Sequence, residues 1–186
     1  MSDKNIVLIG FMGTGKSTVG KLLAKKMSRA FVDIDHRIEE KEKRTISEIF
    51  EKEGEPHFRQ LEKEMIRDAA AHSGQVITTG GGAVLDPENF KALKSGGFLV
   101  ALIASAETIF ERVKRTKHRP LLASGDPMAD IRKLLAVRAP IYEQADLRFV
   151  SDGTKQQLYR NTAGFNGRHY SCRFNYHGVI GCKQGI

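Results

Sequence analysis

The sequence predicts an α/β fold: a parallel β-sheet with helices on both faces, carried by residues 1–152. Three observations predict it. Short apolar runs alternate with amphipathic segments from residue 5 to about 150. The apolar runs are nearly unbroken, as in strands buried on both faces. The chemically unusual residues directly follow those runs, and in an open parallel sheet ligands bind beyond the carboxyl ends of the strands.

The first element is "NIVLIG" (5–10), a strand ending in glycine. From Gly15 a helix carries Val19, Leu22, Leu23 and Met27 on one stripe. "FVDID" (31–35) reads as a second strand. Thr45 with Glu48 three residues on has the spacing of a capping box. From about Pro56 a longer helix places Phe58, Leu61, Met65, Ile66 and Ala69 on its apolar face, and Ser73-Gly74 ends it. "QVITTGGG" (75–82) is strand then turn, and "GFLVALIA" (97–104) reads as a fully buried strand. Ser105 is a cap candidate for the helix over 105–115. Residues 119–127 read as a loop, and a helix from about Met128 to Val137 precedes Pro140. "DLRFV" (146–150) is the last strand.

The chain has 186 residues and a net charge of +8. Five of those charges (Lys155, Arg160, Arg168, Arg173 and Lys183) lie beyond Asp152, where there is no acidic residue, which leaves the body only mildly basic. That balance suits arginines for a small anionic ligand as well as a polynucleotide, so no nucleic-acid partner is expected. The longest apolar run, 98–104, is far too short to span a membrane. "MSDKN" lacks the apolar stretch of a secretory signal, and a cytoplasmic protein is expected. Cys172 and Cys182 read as two thiols rather than a metal site. Residues 153–186 read as an atypical basic tail without a helical stripe, expected to be poorly ordered.

Gly10, Gly15, Lys16 and Ser17 match G-x-x-x-x-G-K-[ST] between a strand and a helix. Glycines let backbone N–H groups curl inward at phosphate oxygens, and the helix that starts there adds the positive end of its dipole. Gly13, Thr14, Gly15, Lys16, Ser17 and Thr18 are therefore candidate ATP contacts, with Lys16 at the β- and γ-phosphates and Ser17 at Mg²⁺. Asp33 and Asp35, two apart on a strand, would share one face. Alone, such a pair is as readily a solvated strand end or a helix cap. Beside the phosphate loop, one carboxylate can serve the metal shell and the other an attacking hydroxyl. Gly80, Gly81 and Gly82 are a flexible turn or a place where backbone approaches a small ligand closely. Arg59 and Arg138 are each an ordinary surface arginine or, together, a clamp for a carboxylate. Arg119 sits in a loop that can fold over phosphates, and Arg115 can stack on a base.

The ordered set "GFMGTGKST", "FVDID", Phe58-Arg59, "TGGGAV" (79–84), "RPLL" (119–122) and "RAPIYEQAD" (138–146) resembles the shikimate kinases over about residues 4–152. The resemblance implies a three-layer P-loop NTPase fold of the NMP-kinase-like type, with five parallel strands in the order 2-3-1-4-5. It implies ATP-dependent phosphorylation of the shikimate 3-hydroxyl, a step of chorismate and aromatic amino-acid biosynthesis. A monomer is expected. By position, Asp35, Arg59, Gly81 and Arg138 would contact shikimate, with Asp35 at the reacting hydroxyl. Ser17 and Asp33 would hold Mg²⁺, Lys16 and Arg119 would stabilise the transferred phosphoryl group, and Arg115 would lie on adenine. The chain departs from the family pattern after "SDGTKQQ", where the tail stands in place of a closing helix. Two other readings remain: a P-loop kinase for gluconate or a nucleotide, and a non-catalytic nucleotide-binding module with a basic interaction tail.

Overall fold

The computed structural model describes residues 4–114 and 126–152. The expectations for Arg115, Arg119, the 119–125 loop, the two cysteines and the tail lie outside the described residues. Five strands form one sheet: β1 (Asn5–Gly10), β2 (Ala30–Asp33), β3 (Gln75–Thr78), β4 (Gly97–Ile103) and β5 (Leu147–Val150). All pairings are parallel and the order is β2-β3-β1-β4-β5. The helices are α1 (Lys16–Met27), α2 (Ile34–Glu42), α3 (Ile46–Ala71), α4 (Pro87–Gly96), α5 (Ala106–Val113) and α6 (Pro127–Tyr142), with a short 3₁₀ turn at Ala83–Leu85.

The two-residue period of β1 builds two cores. Val7 and Ile9 enter a large cluster with Ile77, Leu99, Ile38, Ile66, Leu93, Ile109 and Ile131. Ile6 and Leu8 enter a smaller one with Val76, Val100, Leu102 and, from α1, Val19, Leu23 and Ala24. Among the described residues, α1 covers one face of the sheet and the remaining helices the other. The chain leaves β1 toward one side of the sheet for β2 and β3, then crosses back to β4 and β5. The end of β1 is thus the switch point where such sheets bind ligands. No described helix is long and apolar enough to cross a membrane.

The capping box at Thr45 forms as expected, with Glu48 reaching back to the Thr45 N–H at 2.7 Å. Gly54, at φ 81°, kinks α3 just before Pro56, so the second helical segment begins where the sequence places it.

Four readings need correction. β2 ends at Asp33 rather than at residue 35. Asp33 keeps an extended backbone and its side chain accepts from His36, which starts α2 and puts Asp35 in a helical first turn. The shared face of the two aspartates therefore has a helix start as its cause, not strand alternation. The helix read as ending at Val137 runs through Pro140 to Tyr142. Proline removes only one ladder bond, and contacts made on either side of it hold the helix together. The sequence reading has no helix between β3 and β4, yet α4 is there, with Asp86 as its cap and Pro87 at its first position. Phe98, read as buried, is 37% exposed.

Candidate active site

The donor half comes from consecutive residues. β1 ends at Gly10, whose φ of 139° suits glycine alone. A Cβ there would lie 2.3 Å from the Leu102 carbonyl oxygen of β4, so the turn depends on its absence. Lys16 is buried, and its Nζ donates to the Gly10 and Phe11 carbonyls, both at 2.9 Å. Thr14 is buried too, and its hydroxyl donates to the Phe11 carbonyl at 2.8 Å. That side chain stiffens the loop, which leaves the Thr14 backbone as its route to a phosphate. Gly15 caps α1 in a left-handed conformation, and Ser17 and Thr18 stand exposed in the first turn. The Ser17 hydroxyl donates to Asp33 Oδ2 at 2.8 Å. The two residues expected to serve a metal are therefore already side by side.

The acceptor half is assembled from four separate stretches around the three glycines. A Cβ on Gly80 would stand 2.8 Å from Glu62 Oε1 and 2.9 Å from Asp35 Oδ1. One on Gly82 would stand 2.9 Å from an Arg59 nitrogen. Gly81 faces α6: its carbonyl accepts from Arg138 Nη1 at 3.1 Å and from the Tyr142 hydroxyl at 3.0 Å. Arg59 and Arg138, 79 positions apart in the sequence, thus reach neighbouring glycines of one turn. Arg59 is held by Glu55 and, at 2.7 Å, by Glu62. Arg138 lies over the Phe11 ring at 4.9 Å.

The two halves touch. Gly81 packs against the start of the phosphate loop, its Cβ position lying 3.2 Å from Met12 N and 3.6 Å from the Gly10 oxygen. Burial, and then the Asp33 charge, raise the Asp35 carboxyl to about 6, against the opposing pull of Lys16 and Arg59. Burial also raises Glu62 to about 7, although the Arg59 charge and hydrogen bond pull it down. Four buried side-chain atoms have no hydrogen-bond partner among the described residues: Asp35 Oδ1, Glu62 Oε1, Thr79 Oγ1 and Arg138 Nε. All belong to the acceptor half or, for Thr79, to the residue just before its glycines.

Three residues in this region were missed in the sequence. Glu62 is fully buried, and the signal was there: an acid among Phe58, Leu61, Met65 and Ile66 on the apolar stripe of α3. Tyr142 lies one turn after Arg138 and would have been found had the helix been read through Pro140. Arg112 bridges the Gly13 carbonyl of the loop (3.1 Å) and the Ser151 carbonyl after β5 (2.7 Å), while the sequence pointed to Arg115 and Arg119 for the donor side.

A sequence model of the shikimate kinase family matches residues 12–163. A shikimate kinase of Thermodesulfovibrio yellowstonii is 53% identical over 150 residues, covering 81% of this chain and 87% of that protein. Among solved structures, a shikimate kinase from Acinetobacter baumannii in complex with shikimate superposes with a TM-score of 0.82 at 36% identity, over 89% of this chain and 94% of that one. A gluconokinase from Sinorhizobium meliloti reaches a TM-score of 0.55 at 19% identity, over 85% of this chain and 88% of that one, a likeness of fold alone.

Proposed function

From the premise that this chain belongs to the shikimate kinase family, we propose how its residues divide the transfer of the ATP γ-phosphoryl group to the 3-hydroxyl of shikimate. The observation that carries this reading is the direct packing of Gly81 against the phosphate loop. It supports a reading in which a triphosphate held by residues 10–18 lies across from an acid held by Arg59, Arg138 and the glycine turn. The loop N–H groups and Lys16 bind the phosphates, Lys16 exchanging its two carbonyl partners for phosphate oxygens. Arg59 and Arg138 take the carboxylate. Gly80–Gly82 let the ring approach the backbone closely.

Asp35 accepts the proton of the attacking hydroxyl as the new O–P bond forms and the bond to ADP breaks. A carboxylate raised to about 6 is ionised at neutral pH and is more basic than an exposed aspartate. Ser17 and Asp33 offer Mg²⁺ two adjacent oxygen ligands, a donor set that fits this hard cation, directly or through water. Bound there, Mg²⁺ would neutralise charge on the β- and γ-phosphates. By their place in the family pattern, Arg119 serves the transferred group and Arg115 the base.

The test is ADP release with shikimate, with gluconate and with no acceptor, in the parent enzyme and in Asp35→Asn. Shikimate should be required. The variant should lose roughly 10²- to 10⁴-fold in kcat while ATP binding is kept. Near-normal turnover by Asp35→Asn, or ADP release indifferent to shikimate, would overturn the reading.

A further inference from the structure

We infer that Tyr142 is a positioning residue of the acceptor half: it holds the Gly81 carbonyl so that Arg138 can turn to a substrate carboxylate without loosening the glycine turn. The inference rests on the acceptor reading above. Three glycines in a row are the softest backbone a chain can offer, so a binding surface made from them needs outside restraint. The two flanking carbonyls are restrained by their own turn: Gly80 accepts from the Ala83 N–H at 3.3 Å and Gly82 from the Leu85 N–H at 3.0 Å. The middle carbonyl is held by side chains of α6, Arg138 and Tyr142.

The two donors are not equivalent. A carbonyl oxygen has two lone pairs, and here each has a donor. Arg138 has five N–H groups, of which Nε is buried without a partner among the described residues, so its guanidinium has capacity that this carbonyl does not use. Gripping a carboxylate with two parallel bonds requires a particular edge of the guanidinium, and the bond to Gly81 constrains which edge is offered. The Tyr142 hydroxyl has one proton, and it goes to Gly81. Burial raises the phenol to about 12, against the charge and hydrogen bond of the Arg138 guanidinium beside it, so this proton stays in place throughout the neutral range and the two side chains also meet each other. Arg138 and Tyr142 are one helical turn apart, both buried, on the face of α6 that meets the glycines. The peptide bonds are trans, so pinning the Gly81 carbonyl also directs the Gly82 N–H the opposite way, away from α6.

Tyr142→Phe tests this. The ring stays, and Arg138 still satisfies the carbonyl in the substrate-free enzyme. The KM for shikimate should rise roughly three- to tenfold, the net worth of one neutral hydrogen bond. The KM for ATP and kcat should stay at parent values, and the thermal midpoint should fall by no more than a few degrees. A second readout is independent of turnover. With shikimate bound, amide hydrogen exchange over residues 80–83 should be faster in Tyr142→Phe than in the parent, with α6 itself unchanged. An equal rise in both KM values, a collapse of the midpoint, or unchanged exchange at 80–83 would make Tyr142 a core residue only and sink the inference. If the parent enzyme ignores shikimate, the acceptor reading fails and takes this inference with it. If the parent responds and Tyr142→Phe matches it, only the role of Tyr142 is lost.

Discussion

The donor and acceptor halves meet at Gly81 but are built in opposite ways. The donor half is nine neighbouring residues with Asp33 beside them, and their described polar groups largely satisfy one another: Lys16 on the Gly10 and Phe11 carbonyls, Thr14 on the Phe11 carbonyl as well, Ser17 on Asp33. The acceptor half gathers residues 35, 59, 62, 80–82, 138 and 142, and it contains buried oxygens and a nitrogen without partners among the described residues. An unpaired buried polar atom costs stability that a ligand can recover by pairing with it. The donor half is therefore a rigid mould set by backbone, and the acceptor half carries a desolvation cost that a hydroxylated acid would relieve.

That contrast can be broken or sharpened. The largest expected effect is at Gly10→Ala. The new methyl would collide with the backbone oxygen of Leu102, at a positive φ that alanine resists. Folding should weaken by about 3 kcal/mol or more, read in denaturant melts. A folded, normally stable Gly10→Ala protein would show that the mould is not tied to the sheet.

Next is Arg138→Ala, which should raise the KM for shikimate by roughly 10- to 100-fold, the worth of a charge-assisted contact, while the KM for ATP barely moves. Steady-state kinetics with each substrate varied in turn would check it. A comparable loss for ATP would mean that the two halves are one energetic unit.

The smallest effect concerns stability and pH. Glu62 is raised from its ordinary 4.5 to about 7. A raised carboxyl contributes stability that is present below about 4.5 and is lost as pH climbs through 7, because the folded state resists the ionisation that the unfolded chain accepts. The groups facing it are Arg59, Asp35 and Asp86. Melting the parent and Glu62→Gln between pH 5 and 8 should show a steeper decline in the parent, by on the order of 5 °C. Parallel slopes would mean that Arg59 alone neutralises the site.

Much of this was legible beforehand. The five strands were found within a residue or two, and the phosphate loop was found whole, because each depends on local pattern. Asp35, Arg59 and Arg138, which the sequence reading groups together, converge on one glycine turn, but a helix start rather than strand alternation brings the two aspartates together. A strand alternation and a helix start can bring Asp33 and Asp35 to one side alike, and only the cap at Asp33 distinguishes them. Pro140 misleads for a related reason: its local penalty is real, and the side chains that outweigh it, Arg138 and Tyr142, are anchored on Gly81, 57 and 61 positions from them in the chain.

By itself the sequence determined the mould: three glycines, a lysine and a serine between a strand and a helix can curl in few other ways, since backbone sterics act between neighbours. Only the tertiary structure decided that Asp35 and the Arg59–Glu62 pair would meet beside one glycine turn, and which tyrosine would hold which carbonyl. Those outcomes depend on desolvation and hydrogen-bond partners summed over residues remote in sequence, and no local pattern encodes that sum.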